Sequence, residues 1–138
     1  MTSSAYFFLA SATVVGLLGA VHLVLTFAGR RLQPTDPALC AAMQVSTLVM
    51  TRQTSVWRAW LGFNASHSLG MLLWAAVYGH LAWVAPDPLF KSAYLQGLGL
   101  VVLIAYGWLA WRYWFDVPQR GLLLALALYL TGLSMAQG

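Results

Sequence analysis

The sequence predicts an all-α polytopic membrane protein, a four-transmembrane-helix antiparallel bundle with a short amphipathic helix on its cytoplasmic side. Three observations predict it. Four apolar stretches, at about residues 6–28, 56–84, 92–111 and 118–137, take up most of the 138 positions. Charged residues make up 7% of the chain and hydrophobic residues 61%, against roughly 25% charged in an ordinary soluble domain. The basic residues, finally, gather in the connections on one side.

At about 1.5 Å of rise per residue, helices of these lengths cross the ~30 Å hydrocarbon core. Only helices or closed barrels satisfy their backbone in lipid, and long apolar runs without period-two alternation are helical. The first stretch reads as a retained anchor: no Lys or Arg precedes it, whereas Arg30 and Arg31 follow, the reverse of a cleaved signal. After it, Pro34-Thr35-Asp36-Pro37 has the form of a helix start, with Asp or Thr as cap and Pro at the first helical position. A short helix at about 38–50 follows, bearing Leu39, Met43, Val45, Leu48 and Val49. It is too apolar to sit in water and is expected on the inner membrane surface or across the base of the bundle. Thr54 or Ser55 then caps the second span, or residues 52–57 continue as helix. Pro86-Asp87-Pro88 turns the chain into the third span, and a few residues separate third from fourth. All 138 residues form one domain on this reading.

Four spans place the first and third connections together and both termini with the central connection. Arg30, Arg31, Arg52, Arg58, Arg112 and Arg120 then share one side, and Lys91 alone lies on the other. The positive-inside rule makes the arginine side cytoplasmic and puts both termini outside, with a bacterial inner membrane as the expected location. Trp57, Trp60, Trp108, Trp111, Tyr113 and Trp114 form an inner interfacial belt, and Trp83 and Tyr94 an outer one. The net charge of +4 is scattered over helix ends and makes no nucleic-acid patch. Cys40 is the one cysteine, which excludes an internal disulfide.

Polar groups inside a membrane carry a cost that a partner or a role must offset. No span contains a membrane-embedded Asp, Glu, Lys or Arg, and the lack of embedded carboxylates disfavours proton-driven transport; the candidates are His22, Thr26, Asn64, Ser66, His67, Ser68, Gln96, Tyr106, Tyr129, Thr131 and Ser134. Counted from the nearest cytoplasmic arginine, His22 lies about 12 Å deep, Asn64 about 9 Å, His67 about 14 Å, Tyr106 about 9 Å and Tyr129 about 14 Å. These five, drawn from all four spans, share one slab. In the second span Trp60, Asn64, His67, Met71 and Trp74 recur on one face. Gly62, Ser66 and Gly70 mark a neighbouring close-approach stripe, as Ala12, Gly16 and Ala20 do in the first span.

Two histidines at one depth on different helices are the set needed for axial ligation of a haem b, or of another metal. His22 and His67 with Asn64 and the tyrosine hydroxyls equally suit hydrogen bonds to a quinone carbonyl, a sterol hydroxyl or a lipid head group. A membrane histidine also serves simply by holding a neighbouring helix. His80 reads as interfacial and Gln96 as structural.

The layout resembles the membrane-associated eicosanoid and glutathione metabolism family in length, helix number, cytoplasmic first connection, and an arginine and an asparagine early in the second helix. That family's Arg-x-x-x-Asn-x-x-Glu pattern for glutathione meets Trp60, Asn64 and His67 here, so the resemblance implies topology and shares the asparagine alone. Sterol-isomerase-like proteins have a similar outline with embedded carboxylates, which are absent here. The expected function is non-enzymatic binding of a lipophilic cofactor or lipid by His22, Asn64, His67, Tyr106 and Tyr129, alone, as a homo-oligomer or within a larger membrane complex. A membrane enzyme with His67 as acid or base and Asn64 as orienting group is the second expectation, and a pure scaffold the third.

Overall fold

A computed structural model describes residues 2–137. It is all-helical in character, with 81% of residues in six helices: α1 (Ser3–Phe27), α2 (Pro37–Val45), α3 (Val56–Trp83), α4 (Pro86–Lys91), α5 (Ala93–Tyr113) and α6 (Asp116–Gln137). A small antiparallel hairpin, β1 (Thr47–Leu48) with β2 (Thr51–Ser55), stands between α2 and α3.

Three helices, Ser3–Phe27, Ala93–Tyr113 and Asp116–Ala136, are long and apolar enough to cross a membrane. Only 28%, 17% and 22% of their apolar windows are buried, so Leu17, Val24, Val101, Ile104, Leu123 and Leu124 face outward. So much exposed aliphatic surface suits lipid, and the chain is an integral membrane protein. α3 is the longest helix, at 28 residues, yet it is not among the three. Arg58, Asn64, Ser66, His67, Ser68 and His80 lower its apolar character.

The chain folds as two compact units, one comprising the residues up to Leu18 and from Met71 onward, the other Gly19–Gly70. In the larger unit α1 runs antiparallel to α6. Ser4 Oγ donates to the Gly132 carbonyl at 2.7 Å and Ser11 Oγ to the Ala125 carbonyl at 2.8 Å. The two serines are seven residues apart, as are their acceptors, so the helices meet along one seam. Gly132 leaves room for the Phe8 ring and Gly121 for Leu18. Against α3, Gly16 approaches Ala75 and Ala12 approaches Gly79, as the small-residue stripe of the first span predicts.

Two tyrosines, Tyr78 of α3 and Tyr129 of α6, tie this unit together at α5. Tyr78 donates to the Leu95 carbonyl at 2.7 Å, and Tyr129 to the Gln96 carbonyl at 2.9 Å. Gly99 is a glycine for steric reasons: a Cβ there would collide with the Tyr129 hydroxyl and the Tyr78 ring. Gln96 Nε2 donates to the carbonyls of Leu89 and Phe90 at 3.1 and 3.0 Å, holding the end of α4. The expected Pro86-Asp87-Pro88 turn is thus the start of a short helix, which also carries an exposed Asp87–Lys91 ion pair. Phe8, Met71, Trp74, Tyr78, Leu103 and Tyr129 fill the core.

In the smaller unit Gly29, at φ +88°, ends α1 in the left-handed region open to glycine. Asp36 Oδ1 accepts from the Ala38 N–H at 2.8 Å and Pro37 begins α2, as predicted. The helix expected over 38–50 stops at Val45, however, and Ser46 turns to extended backbone. The β-branched residues Thr47, Val49, Thr51 and Thr54 favour strand, and the Val56 N–H closes the hairpin onto the Ser46 carbonyl at 2.9 Å. For the same reason 52–57 is no helical extension; β2 reaches Ser55, whose Oγ caps α3 by accepting from the Arg58 N–H at 3.3 Å. The stripe of Gly62, Ser66 and Gly70 is also corrected. Gly62 faces open space, and Ser66 is exposed with its hydroxyl turned back to the Phe63 carbonyl at 2.9 Å.

Candidate ligand site

Helical spacing puts Trp60, Asn64 and His67 on one face of α3, and α1 supplies His22 opposite them within the smaller unit. Asn64 Nδ2 donates to the Trp60 carbonyl, one turn back, at 2.8 Å. That bond orients the amide, leaving Oδ1 toward His22, whose Nε2 lies 3.0 Å away. An amide oxygen only accepts, so the network assigns the proton to His22 Nε2. The His22 and His67 rings stand edge to face with centroids 5.4 Å apart.

Two further hydroxyls brace the same positions. Thr26 Oγ1 donates to the His22 carbonyl at 2.8 Å and Ser68 Oγ to the Asn64 carbonyl at 3.0 Å. Both side chains are buried, and hydroxyls turned onto the preceding turn need no other partner in lipid. His22, Asn64 and His67 are each half-buried, within reach of a ligand. Asn64 retains capacity for one, since its two bonds leave one N–H and one oxygen lone pair. Trp57 and Trp60 stack at 5.2 Å at the start of α3, and Phe63 is 76% exposed beside Asn64 in sequence.

The layer predicted from depth divides between the two units. His22, Asn64 and His67 come together in the smaller, whereas Tyr106 and Tyr129 belong to the larger. Tyr129 is fully buried, packs edge-on to Phe8 at 4.7 Å and gives its proton to Gln96. Tyr106 is half-buried against the core of its own unit. Thr26 and Ser68 were among the polar candidates of the sequence, and their bracing role was visible as a spacing of four from His22 and from Asn64. The Trp60 carbonyl was visible only as a spacing of four to Asn64. Among the described residues, no group of three or more His, Cys, Asp or Glu could hold a metal, so His22 and His67 stand as a two-imidazole set. No family model, curated protein or solved structure matches the chain.

Proposed function

We propose that the chain is a four-span membrane protein that binds a lipophilic molecule through a hydrogen-bonding head group, at a site made by His22, Asn64 and His67. The observation that carries this reading is the oriented triad: a histidine and an asparagine hydrogen-bonded across two helices, with a second imidazole alongside. α3 supplies the fourth span. Its 28 residues are more than the roughly 20 a crossing needs, and polar residues in a span facing protein are those expected at a ligand path. The arginine distribution then supports cytoplasmic first and third connections.

Among the lipophilic ligands that two histidines suit, the hydrogen-bond network favours a quinone-like carbonyl or a sterol or lipid hydroxyl over haem. Axial ligation through His22 Nε2 requires a lone pair, and that nitrogen is protonated toward Asn64. A carbonyl or hydroxyl instead uses the remaining Asn64 N–H or lone pair without breaking the His22–Asn64 bond.

The test is lipid extraction and an absorption spectrum, oxidised and reduced, on protein purified in mild detergent. A stoichiometric lipophile without a haem band is expected. Asn64→Ala and His67→Ala should each lower its retention about tenfold, the loss of one or two hydrogen bonds at ~1 kcal/mol each. Equal retention in all three proteins refutes the site, and a haem band abolished by His22→Ala transfers it to haem binding.

A further inference from the structure

The segment between α1 and α3 has a composition and exposure that ligand binding does not explain. α2 carries no charged residue and buries none of its side chains; Leu39 and Val45 lie open. The hairpin that follows presents Val49 and Met50 at its turn, both fully exposed. Arg30 and Arg31 precede α2, Arg52 lies on β2 and Arg58 in the first turn of α3. Among the described residues none of the four makes an ion pair or a side-chain hydrogen bond, whereas Lys91 and Arg120 in the larger unit are each paired with an aspartate. The one carboxylate of the smaller unit, Asp36, is engaged in capping α2. Four cations against one anion, beside an uncharged helix and an apolar turn, match a surface that is anionic outside and apolar beneath. α1 tethers the segment at the right depth, because the arginines begin three residues beyond the end of a membrane-length helix.

We propose that α2 and the β1–β2 hairpin form a foot that docks on the adjacent leaflet, with the Val49–Met50 turn inserted among acyl chains and the four arginines bound to anionic phospholipid head groups. The foot is a lipid sensor independent of the His22–Asn64–His67 site. Its docking follows the anionic lipid content of the leaflet: each arginine near such a surface favours the docked state about fivefold, and salt screens the attraction.

Cys40 is the only cysteine, which gives a simple test. A nitroxide is attached to Met50→Cys in a Cys40→Ser background, and the protein is reconstituted in phosphatidylcholine vesicles with or without phosphatidylglycerol. Collisions with oxygen, which partitions into the bilayer, are compared with those of a water-soluble nickel chelate. The label should be shielded from nickel in the anionic vesicles and markedly less in the neutral ones. Arg52→Gln and Arg58→Gln should each shift the equilibrium toward water about fivefold. A second label at Leu17→Cys, on the outward face of α1, should not change and reports that the fold persists. Nickel access in both lipids overturns the proposal, as does equal shielding in both. Shielding that rises with protein density instead of phosphatidylglycerol overturns it in favour of a second copy of the chain.

Discussion

The two ends of α3 use the same helical face differently. From Met71 onward that face buries Met71, Trp74, Tyr78 and Ala82 in a close-packed aromatic core. Before Gly70 it presents Trp60, Asn64 and His67, and among the described residues of the smaller unit only Gly19, Thr26 and Ser68 are buried. One end is held by shape and the other by a few oriented hydrogen bonds. The difference matters in lipid, where apolar packing gains little from the solvent and close fit must supply the stability. The smaller unit's buried residues are small or polar, whereas the larger interlocks its tyrosines with Gly99.

Breaking the packed end should have the largest effect. Tyr129→Ala removes a fully buried ring and both its hydrogen bond and its contact with Phe8. Because lipid is as apolar as the core, the cavity and lost contacts dominate, and a loss of about 3 kcal/mol is expected in detergent unfolding. Gly99→Val should follow, at about 1–3 kcal/mol, by driving a side chain into Tyr129 and Tyr78. Asn64→Ala sharpens the contrast: a stability change near 1 kcal/mol, alongside the tenfold loss of lipophile. Ser11→Ala should be the smallest, about 0.6 kcal/mol in the same unfolding assay, since only one interhelical hydrogen bond to Ala125 is lost. If Asn64→Ala instead proves as destabilising as Tyr129→Ala, the triad is a structural clasp and the distinction between the two ends fails.

Much of the architecture was legible because long apolar runs leave little choice of structure. The cap at Asp36 and the small-residue contact of Ala12 and Gly16 follow from spacing, and the common depth of His22, Asn64 and His67 from counting along the helices; which way the histidines face does not. The hairpin was not. Leu48, Val49 and Met50 continue the apolar character of α2, so the pattern reads as helix until the β-branched residues around them and the closure onto Ser46 are weighed together. Depth alone also left the partner of the Tyr129 hydroxyl open. It measures height along a helix and is blind to rotation about the axis, which is what gives the Tyr129 hydroxyl to Gln96. Gly62 and Ser66 failed for a related reason: small residues permit close approach without compelling it.

The seam of Ser4 and Ser11 against Gly132 and Ala125 joins segments more than a hundred residues apart. A chain inserted in order of synthesis therefore brings α1 into the bilayer long before the helix that receives those hydroxyls exists. Until α6 arrives, both serines must turn to their own helix or to water at the bilayer edge. Closure of this seam is consequently an event that waits for α6, and chains interrupted before Ala125 are the species that membrane quality control should recognise and remove.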